Sequence, residues 1–192
     1  MKFSLCIAFL AVVVAPIAIC QPISGEPDIG APVMGAPDNQ SVPDYRLRLF
    51  HTHTNERIDI VYRRGDKYVP GALDKLDSFL RDWRTGEVHH YDPHVFDLLH
   101  DLLTSIGEPN DEINVICGFR TSQTNEFLRH RNAHTGVAAH SLHMLAEAID
   151  IRLSKLSAAQ LRDAALELHR GGVGYYQASN FVHVDVGRVR RW

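Results

Sequence analysis

The chain has 192 residues, of which 45% are hydrophobic, and this length and composition predict one compact domain. Its formal net charge is −3 and no long basic run occurs, so nucleic acid is not an expected partner. The 12 histidines supply abundant metal ligands, although they also raise the number of histidine motifs that arise by chance.

The N-terminal segment predicts export. Residues 1–20 combine Lys2 with an apolar run at 5–19 and small residues near its end. This run is too short for a membrane span and fits a cleaved secretory signal, after which no transmembrane segment is expected. Lipid modification of Cys20 is an alternative, but Ile19 is a poor residue before a lipid-modified cysteine.

Between this signal and the domain, residues 21–44 carry repeated Pro and Gly without strand or helix periodicity, and we interpret them as a flexible tether. The chain has three cysteines, Cys6, Cys20 and Cys117, and cleavage is expected to leave only the last. The exported domain then has no internal disulfide. Because Cys117 ends an apolar run, we interpret it as a buried, inert thiol.

The domain, which we place at residues 45–192, alternates between strand and helix periodicity. The predicted elements are strands at 45–50 and 57–62, a helical face from Pro70 to Trp83, a helix with Asp92 as N-cap and Pro93 next that ends at Gly107, a strand at 113–117, a helix capped by Thr121 or Ser122, a turn and strand within 141–152, a helix capped by Ser157, and strands at 173–176 and 181–186. This order predicts a single α+β domain with a mainly antiparallel sheet and helices packed on it.

Two of these strands carry a polar face opposite an apolar one. Asp150 lies between two isoleucines, and His143 precedes it by seven residues. Near the C-terminus, His183 and Asp185 share one strand face while valines form the other. Two imidazoles and a carboxylate make a three-ligand zinc site with an open position, as in catalytic zinc centres. The spacing alone is equally compatible with ordinary solvent-facing polar residues.

Other candidates have weaker patterns. Arg120 follows a strand end and can hold a substrate carboxylate or a developing oxyanion, although an exposed loop arginine has the same pattern. His140 is close to the site in sequence, and the remaining histidines are expected on surfaces or helix faces. Tyr175 and Tyr176 can line a pocket, although packing in the core or at the pocket rim is the expected role. The basic tail at 187–192 is expected to be solvated.

Several motifs together resemble the murein endopeptidase K family, which is related to D-alanyl-D-alanine carboxypeptidases, VanX-type dipeptidases and the hedgehog N-terminal domain. The motifs that carry this resemblance are Arg48-Leu49-Phe50-x-Thr52-His53-Thr54, Leu80-Arg81-Asp82-x-Arg84-Thr85-Gly86-Glu87-Val88, Gly118-Phe119-Arg120-Thr121, Ser141-x-His143, Ala148-Ile149-Asp150-Ile151-Arg152, Gly172-Val173-Gly174-Tyr175-Tyr176 and Phe181-Val182-His183-Val184-Asp185-x-Gly187. They cover nearly the whole chain after the tether.

The resemblance implies a hedgehog or D-Ala-D-Ala peptidase-like fold, and Zn²⁺ bound by His143, Asp150 and His183. It implies a zinc metallopeptidase that hydrolyses peptide cross-links of peptidoglycan, those with meso-diaminopimelate above all, in a Gram-negative periplasm. Arg120 matches the arginine that related enzymes place near the substrate. The alternatives are a non-catalytic, zinc-containing peptidoglycan-binding domain and a carboxypeptidase that trims uncross-linked stem peptides.

The chain departs from the family pattern at two positions. Ala146 stands where glycine is usual, which predicts a slightly altered turn before Asp150. Asn180 stands where related peptidases often carry an acidic general base, three residues before the last histidine ligand. We nominate Asp185 as the replacement base. The alternative role for Asp185 is to accept a hydrogen bond that orients a metal ligand.

Overall fold

The computed structural model describes residues 42–131 and 136–192. The predicted signal and residues 21–41 of the predicted tether lie outside them. The elements in chain order are β1 (Asp44–His51), β2 (Arg57–Arg64), β3 (Lys67–Tyr68), α1 (Pro70–Phe79), α2 (His94–Ser105), β4 (Glu112–Cys117), α3 (Ser122–His130), a 3₁₀ helix (Leu142–Leu145), β5 (Ala148–Leu153), α4 (Ala158–Glu167), β6 (Gly172–Tyr176), a short 3₁₀ helix (Gln177–Ser179), β7 (Phe181–Asp185) and β8 (Arg190–Arg191).

The strands form one eight-stranded sheet in the order β3-β2-β1-β4-β5-β7-β6-β8. Within residues 42–131 and 136–192, only β1 with β4 and β6 with β8 pair in parallel; the other neighbouring pairs are antiparallel. The α+β prediction with a mainly antiparallel sheet is therefore confirmed. Strands β5 and β7, which carry the predicted ligands, are neighbours in the interior of the sheet, where both edges are hydrogen-bonded.

The hydrophobic core covers one face of the sheet. Ile149, Ile151, Val182 and Val184 lie in it and are at most 1% exposed. Helices α1, α2 and α4 contact the strands and contribute to this core. Because strand side chains alternate, the residues between these apolar positions must face the opposite side. Two helix starts follow the predicted capping: Thr121 caps α3, and Ser157 forms a capping box with Gln160 at the start of α4.

Some local predictions differ from the structure. Helix α1 ends at Phe79, so Trp83 is not on its face and is 37% exposed. Helix α2 begins one residue later than expected, with Pro93 at the N-cap, while the Asp92 carboxylate accepts a hydrogen bond from the His94 N–H. The predicted solvated tail includes β8, which pairs with β6. No helix within residues 42–131 and 136–192 combines the length and apolar character needed to cross a bilayer.

Candidate active site

A row of polar residues crosses the face of the sheet opposite the core. In the strand register, Cys117 of β4 pairs with Asp150 of β5, Asp150 pairs with His183 of β7, and His183 pairs with Gly174 of β6. A shift in register within β4 brings Cys117 opposite Asp150. Residues far apart in the chain are therefore aligned by main-chain hydrogen bonds alone.

The three predicted ligands meet above this row. His143 arrives from the 3₁₀ helix, with its Nε2 3.1 Å from Asp150 Oδ1 and 3.1 Å from His183 Nδ1. The third side of the triangle, from His183 Nδ1 to Asp150 Oδ1, is 2.9 Å. All three side chains are buried, and His143 is completely so. The structure thus brings together the set that the family resemblance implied.

Hydrogen bonds on the outer side of each imidazole determine which nitrogen faces the cluster. His143 Nδ1 lies 2.8 Å from the Gly118 carbonyl oxygen, which can only accept, so Nδ1 carries the proton. His183 Nε2 lies 3.1 Å from Asp185 Oδ2 and donates to it in the same way. In the neutral form of each ring, the inner nitrogen therefore presents a lone pair to the cluster. This is the arrangement that orients metal-binding histidines.

The triangle fits a divalent metal ion. Zinc bonds of about 2.0–2.1 Å in a tetrahedral site place ligand atoms about 3.3–3.4 Å apart. The observed separations of 2.9–3.1 Å are within a few tenths of an ångström of this. Three electron-rich atoms at such distances repel each other unless a cation or proton lies between them. With three protein ligands, the fourth coordination position remains for a water or a substrate.

The protonation of His143 and Asp150 agrees with metal binding. Burial lowers the pKa of His143 to about 4, so its imidazole is neutral at physiological pH. Burial acts to raise the pKa of Asp150, but the two neighbouring imidazoles outweigh it and hold that pKa well below its usual range. A neutral imidazole and an ionised carboxylate are the forms that bind a metal. Burial acts to lower the pKa of His183, but its hydrogen bonds to Asp150 and Asp185 raise that pKa, so metal binding displaces a proton from this imidazole.

Asp185 lies behind His183 rather than beside the open side of the cluster. One carboxylate oxygen accepts from the Gly172 and Gly187 N–H groups at 2.9 Å each and from Arg190 at 3.0 Å. The other accepts from His183 and, at 2.7 Å, from Arg190. Burial acts to raise the pKa of Asp185, but these donors hold it well below its usual range. The geometry favours the role of orienting His183 over the role of general base, which stays a prediction.

Arg120 lies at the same cluster. Its backbone N–H donates to the His143 carbonyl at 3.1 Å, and its Nη2 lies 3.9 Å from Asp150 Oδ2. The guanidinium is buried, and its Nε finds no hydrogen-bond partner within the described part of the chain. A buried guanidinium beside the ligands is suited to bind a substrate oxygen through its Nη groups.

Cys117 is a fourth potential donor atom. Its sulfur, one ligand atom of His143 and one carboxylate oxygen of Asp150 lie within 4.8 Å of one another. Burial raises the pKa of the thiol to about 12, so it stays protonated, and its sulfur lies 3.6 Å from the Gly118 carbonyl oxygen. The protonated thiol agrees with the predicted lack of reactivity, but Cys117 is only partly buried, so the prediction of a buried residue is wrong.

The two positions that depart from the family pattern both have left-handed backbone conformations. Ala146 has φ of 54°, and Asn180 has φ of 50°. Glycine adopts such angles without strain, which explains why it suits the position of Ala146; alanine reaches the same turn at a cost of about 1–2 kcal/mol. Asparagine tolerates this region better than most residues, and Asn180 is exposed.

A cavity of about 540 Å³ opens onto the cluster. The described residues that line it besides the ligands are His53, Trp83, Arg84, Ile116, Cys117, Arg120, Leu128, Arg131, Gly136, Val137, Ala138, His140, Ser141, Leu142, Tyr176, Ser179, Phe181, Arg190 and Trp192. Asp150 is the only carboxylate among the described lining residues, whereas four are arginines. The cavity therefore favours an anionic ligand.

Sequence reasoning missed part of this lining. Trp192 lies with its ring 5.2 Å from that of His183 and donates to the Tyr176 hydroxyl at 3.1 Å, so the tail forms a wall of the cavity. Arg190 binds both oxygens of Asp185. The available signal was Asp185 itself, because a carboxylate within a buried strand requires a cationic partner. His51, expected at the surface, is completely buried.

The sequence of the chain matches one family of known proteins. A family model described as peptidoglycan L,D-endopeptidase MepK matches residues 40–192. The chain is 40% identical over 153 residues to the "Probable peptidoglycan L,D-endopeptidase MepK" of Haemophilus influenzae, covering 79% of this chain and 81% of that protein. It is 35% identical over 167 residues to the peptidoglycan L,D-endopeptidase MepK of Escherichia coli (strain K12), covering 85% and 90%.

Proposed function

Because the chain belongs to the family of MepK peptidoglycan L,D-endopeptidases, we propose that it hydrolyses peptide cross-links of cell-wall peptidoglycan as a metallopeptidase. One observation in the structure supports this most directly. Two imidazole lone pairs and a carboxylate oxygen converge within 2.9–3.1 Å at the base of a cavity that is large enough for a peptide segment. Family membership and site geometry thus support the same chemistry.

We propose Zn²⁺ as the metal and His143, Asp150 and His183 as its ligands. The nitrogen and oxygen donor set suits zinc, and the buried hydrogen bonds behind the imidazoles hold them in the required tautomers. When bound, the ion supplies Lewis acidity, which lowers the pKa of a water molecule and polarises a carbonyl oxygen.

Arg120 is proposed to bind the oxygen of the scissile carbonyl as negative charge develops on it. Its position beside Asp150 and at the wall of the cavity supports this role. The surrounding burial strengthens such a charge-assisted hydrogen bond. Removal of one donor of this kind typically lowers kcat by about 100-fold or more.

The proton transfers require an acceptor that reaches the cavity. Asp185 is a poor candidate for this acceptor, because its oxygens already accept five hydrogen bonds behind His183. His53 and His140 line the cavity and are not part of the ligand set. Imidazoles are the side chains best suited to exchange a proton near neutral pH, so we propose one of these two as the alternative acceptor.

The proposed place of action is the periplasm of a Gram-negative cell. The signal-like residues 1–20 support export, and cross-linked peptidoglycan lies outside the cytoplasmic membrane. Fractionation of cells that express the full chain should recover the cleaved protein with the periplasmic contents.

The proposal is tested by incubating cross-linked muropeptides with the protein and following dimers and monomers by mass spectrometry. We expect dimers to fall to monomers with zinc, to persist with a chelator, and to fall again when zinc is restored. His143→Ala and Asp150→Ala should abolish both turnover and metal content, whereas Asp66→Ala, an exposed turn residue, should match the wild type. Wild-type turnover in either ligand variant would refute the site.

A second candidate is a non-catalytic, metal-containing domain that binds peptidoglycan. The observation that favours it is that the only carboxylate among the described lining residues is the ligand Asp150. A zinc-loaded protein that binds muropeptide dimers and leaves them intact would identify this function. The carboxypeptidase alternative would release a terminal amino acid from uncross-linked stem peptides in the same assay.

A further inference from the structure

The turn between α1 and α2 is anchored to the active site by one buried carboxylate. Asp82 is 1% exposed, and its Oδ2 accepts from both the N–H and the hydroxyl of Thr121 at 2.9 Å. Its Oδ1 accepts from the Arg84 N–H at 3.0 Å, and its own N–H donates to the Glu87 carbonyl at 2.9 Å. Since Thr121 follows Arg120, the position of this turn is coupled to that of the active-site arginine.

Trp83 and Arg84 of this anchored turn form a stack at the cavity with His53, which lies in the turn between β1 and β2. The rings of His53 and Trp83 stack with centroids 4.5 Å apart and an interplanar angle of 19°. The guanidinium carbon of Arg84 lies 4.1 Å from the Trp83 ring centroid. All three residues line the cavity. The stack restricts the rotamers of Arg84, which reduces the entropy lost when its guanidinium binds a ligand.

Arg84 forms no ion pair within the described part of the chain. Arg190 pairs with Asp185 and Arg120 lies near Asp150, whereas no carboxylate of a described residue is within ion-pair distance of Arg84. Its charge nevertheless acts on the site, because Arg84, together with Arg120, lowers the pKa of Cys117 against the larger effect of burial. A positioned guanidinium without a partner is suited to bind an anionic group of the substrate.

The diaminopimelate cross-links that the family resemblance implies as substrate supply such an anionic group. Diaminopimelate has an amino acid centre at each end, so the centre whose amine is acylated in a cross-link retains its own carboxylate beside the scissile amide. A guanidinium binds such a carboxylate through two parallel hydrogen bonds, which an amidated carboxylate cannot accept in the same way.

We propose that Arg84, held on the ring of Trp83, is a specificity-determining residue that binds a free carboxylate of a cross-linked diaminopimelate residue. This inference rests on the proposed function, since it names the chemical feature that the same site selects. In this inference Arg84 binds the substrate beside the scissile bond, whereas Arg120 stabilises the oxyanion.

The test compares cross-linked muropeptides with free diaminopimelate carboxylates against the same compounds with amidated carboxylates. The wild type should prefer the free acid in kcat/KM. Arg84→Gln should lose roughly 10–100-fold on the free acid, mainly through KM, and little on the amidated form, because a charge-assisted pair is lost only in the first case. Arg84→Lys should recover part of the preference. Metal content should be unchanged in both variants.

Arg81→Gln is the matched control, because Arg81 lies on the same turn but pairs with Glu56 outside the described cavity lining. It should keep the wild-type preference. An equal loss on both substrates in Arg84→Gln, or no loss on either, would overturn the inference.

A binding measurement distinguishes failure of this inference from failure of the proposed function. It compares the affinity of the protein for monomeric muropeptides with free and with amidated carboxylates. If the wild type cleaves nothing but binds the free acid more tightly through Arg84, the endopeptidase proposal fails and the role of Arg84 stands. If it cleaves dimers and Arg84→Gln leaves both the preference and the binding intact, the inference fails and the endopeptidase proposal stands.

Discussion

Asp185 shows how much of the site depends on a residue that does not touch the proposed metal. Its two oxygens accept from two backbone N–H groups, one imidazole and one bidentate guanidinium. The imidazole hydrogen bond places the proton of His183 on Nε2, so that Nδ1 is free for the metal. Asp185 therefore acts on metal affinity through the orientation and basicity of a ligand.

Asp185→Asn is expected to lower zinc affinity by roughly 10–100-fold, because the amide weakens the hydrogen bond that orients His183. Competition with a chromophoric chelator measures this. Asp97→Asn is the control, since Asp97 is a buried carboxylate that accepts hydrogen bonds from Tyr62 and Tyr68 away from the site. Full zinc affinity with lost turnover in Asp185→Asn would instead support Asp185 as the general base.

Substitution of Cys117 tests whether the metal site has three protein ligands and an open position or four protein ligands. A site with four protein ligands would lose most of its zinc affinity when the thiol is removed, whereas a three-ligand site would not. Because the thiol is protonated and faces the Gly118 carbonyl, we expect Cys117→Ser to keep zinc affinity within about 3-fold and to keep turnover. A large loss of bound zinc in this variant would contradict an open catalytic site.

At the scale of elements, β6 and β8 hold the ligand strand β7 in place. The close approach of β6 to the Asp185–Arg190 pair requires a residue without a side chain at Gly172. A Cβ there would lie 2.5 Å from Asp185 Oδ2 and 2.4 Å from Arg190 Nη1. The C-terminal strand thereby brings a cation and the Trp192 ring to the site.

Gly172→Ala is expected to lower both stability and zinc affinity, because the added methyl displaces the Asp185–Arg190 ion pair; a loss of about 1–3 kcal/mol is typical of such overpacking. Thermal unfolding and zinc titration measure the two effects. The control is Gly71→Ala in α1, where an added Cβ meets no atom within 4 Å. That change should be neutral or stabilising by up to about 1 kcal/mol. Equal behaviour of the two variants would contradict this account.

At the scale of the whole molecule, the metal would cross-link parts of the chain that are distant in sequence. His143 belongs to the 3₁₀ helix, Asp150 to β5 and His183 to β7, and the unfolded chain offers no such preformed site. Ligand binding to the folded state alone stabilises it by RT ln(1 + [L]/Kd).

Removal of zinc should therefore lower the Tm. At a free zinc concentration of about 1,000 Kd the stabilisation is about 4 kcal/mol, which corresponds to roughly 8–16 °C for a chain of this size. Scanning calorimetry with and without a chelator measures the shift. Asp150→Ala should show no zinc-dependent shift, and an equal shift in that variant would place the metal elsewhere.

The fold class and the helix caps at Thr121 and Ser157 were predictable from the sequence. The family resemblance also indicated His143, Asp150 and His183 as candidate ligands, and the structure places their side chains 2.9–3.1 Å apart. Strand alternation separates Asp150 from its isoleucine neighbours, and motif order carries the family resemblance. These signals are local: they depend on the periodicity of one element or on residues adjacent in the chain, which is why they can be read without knowing what packs against them.

Only the tertiary structure decided which residues complete the site. The register of β4, β5 and β7 aligns Cys117 with Asp150 and His183, and strand pairing returns Arg190 and Trp192 to the cavity. The role of Asp185 likewise depends on which atoms surround its carboxylate. Contacts between residues far apart in sequence arise from packing and hydrogen bonding across elements, and no pattern within a single element encodes them.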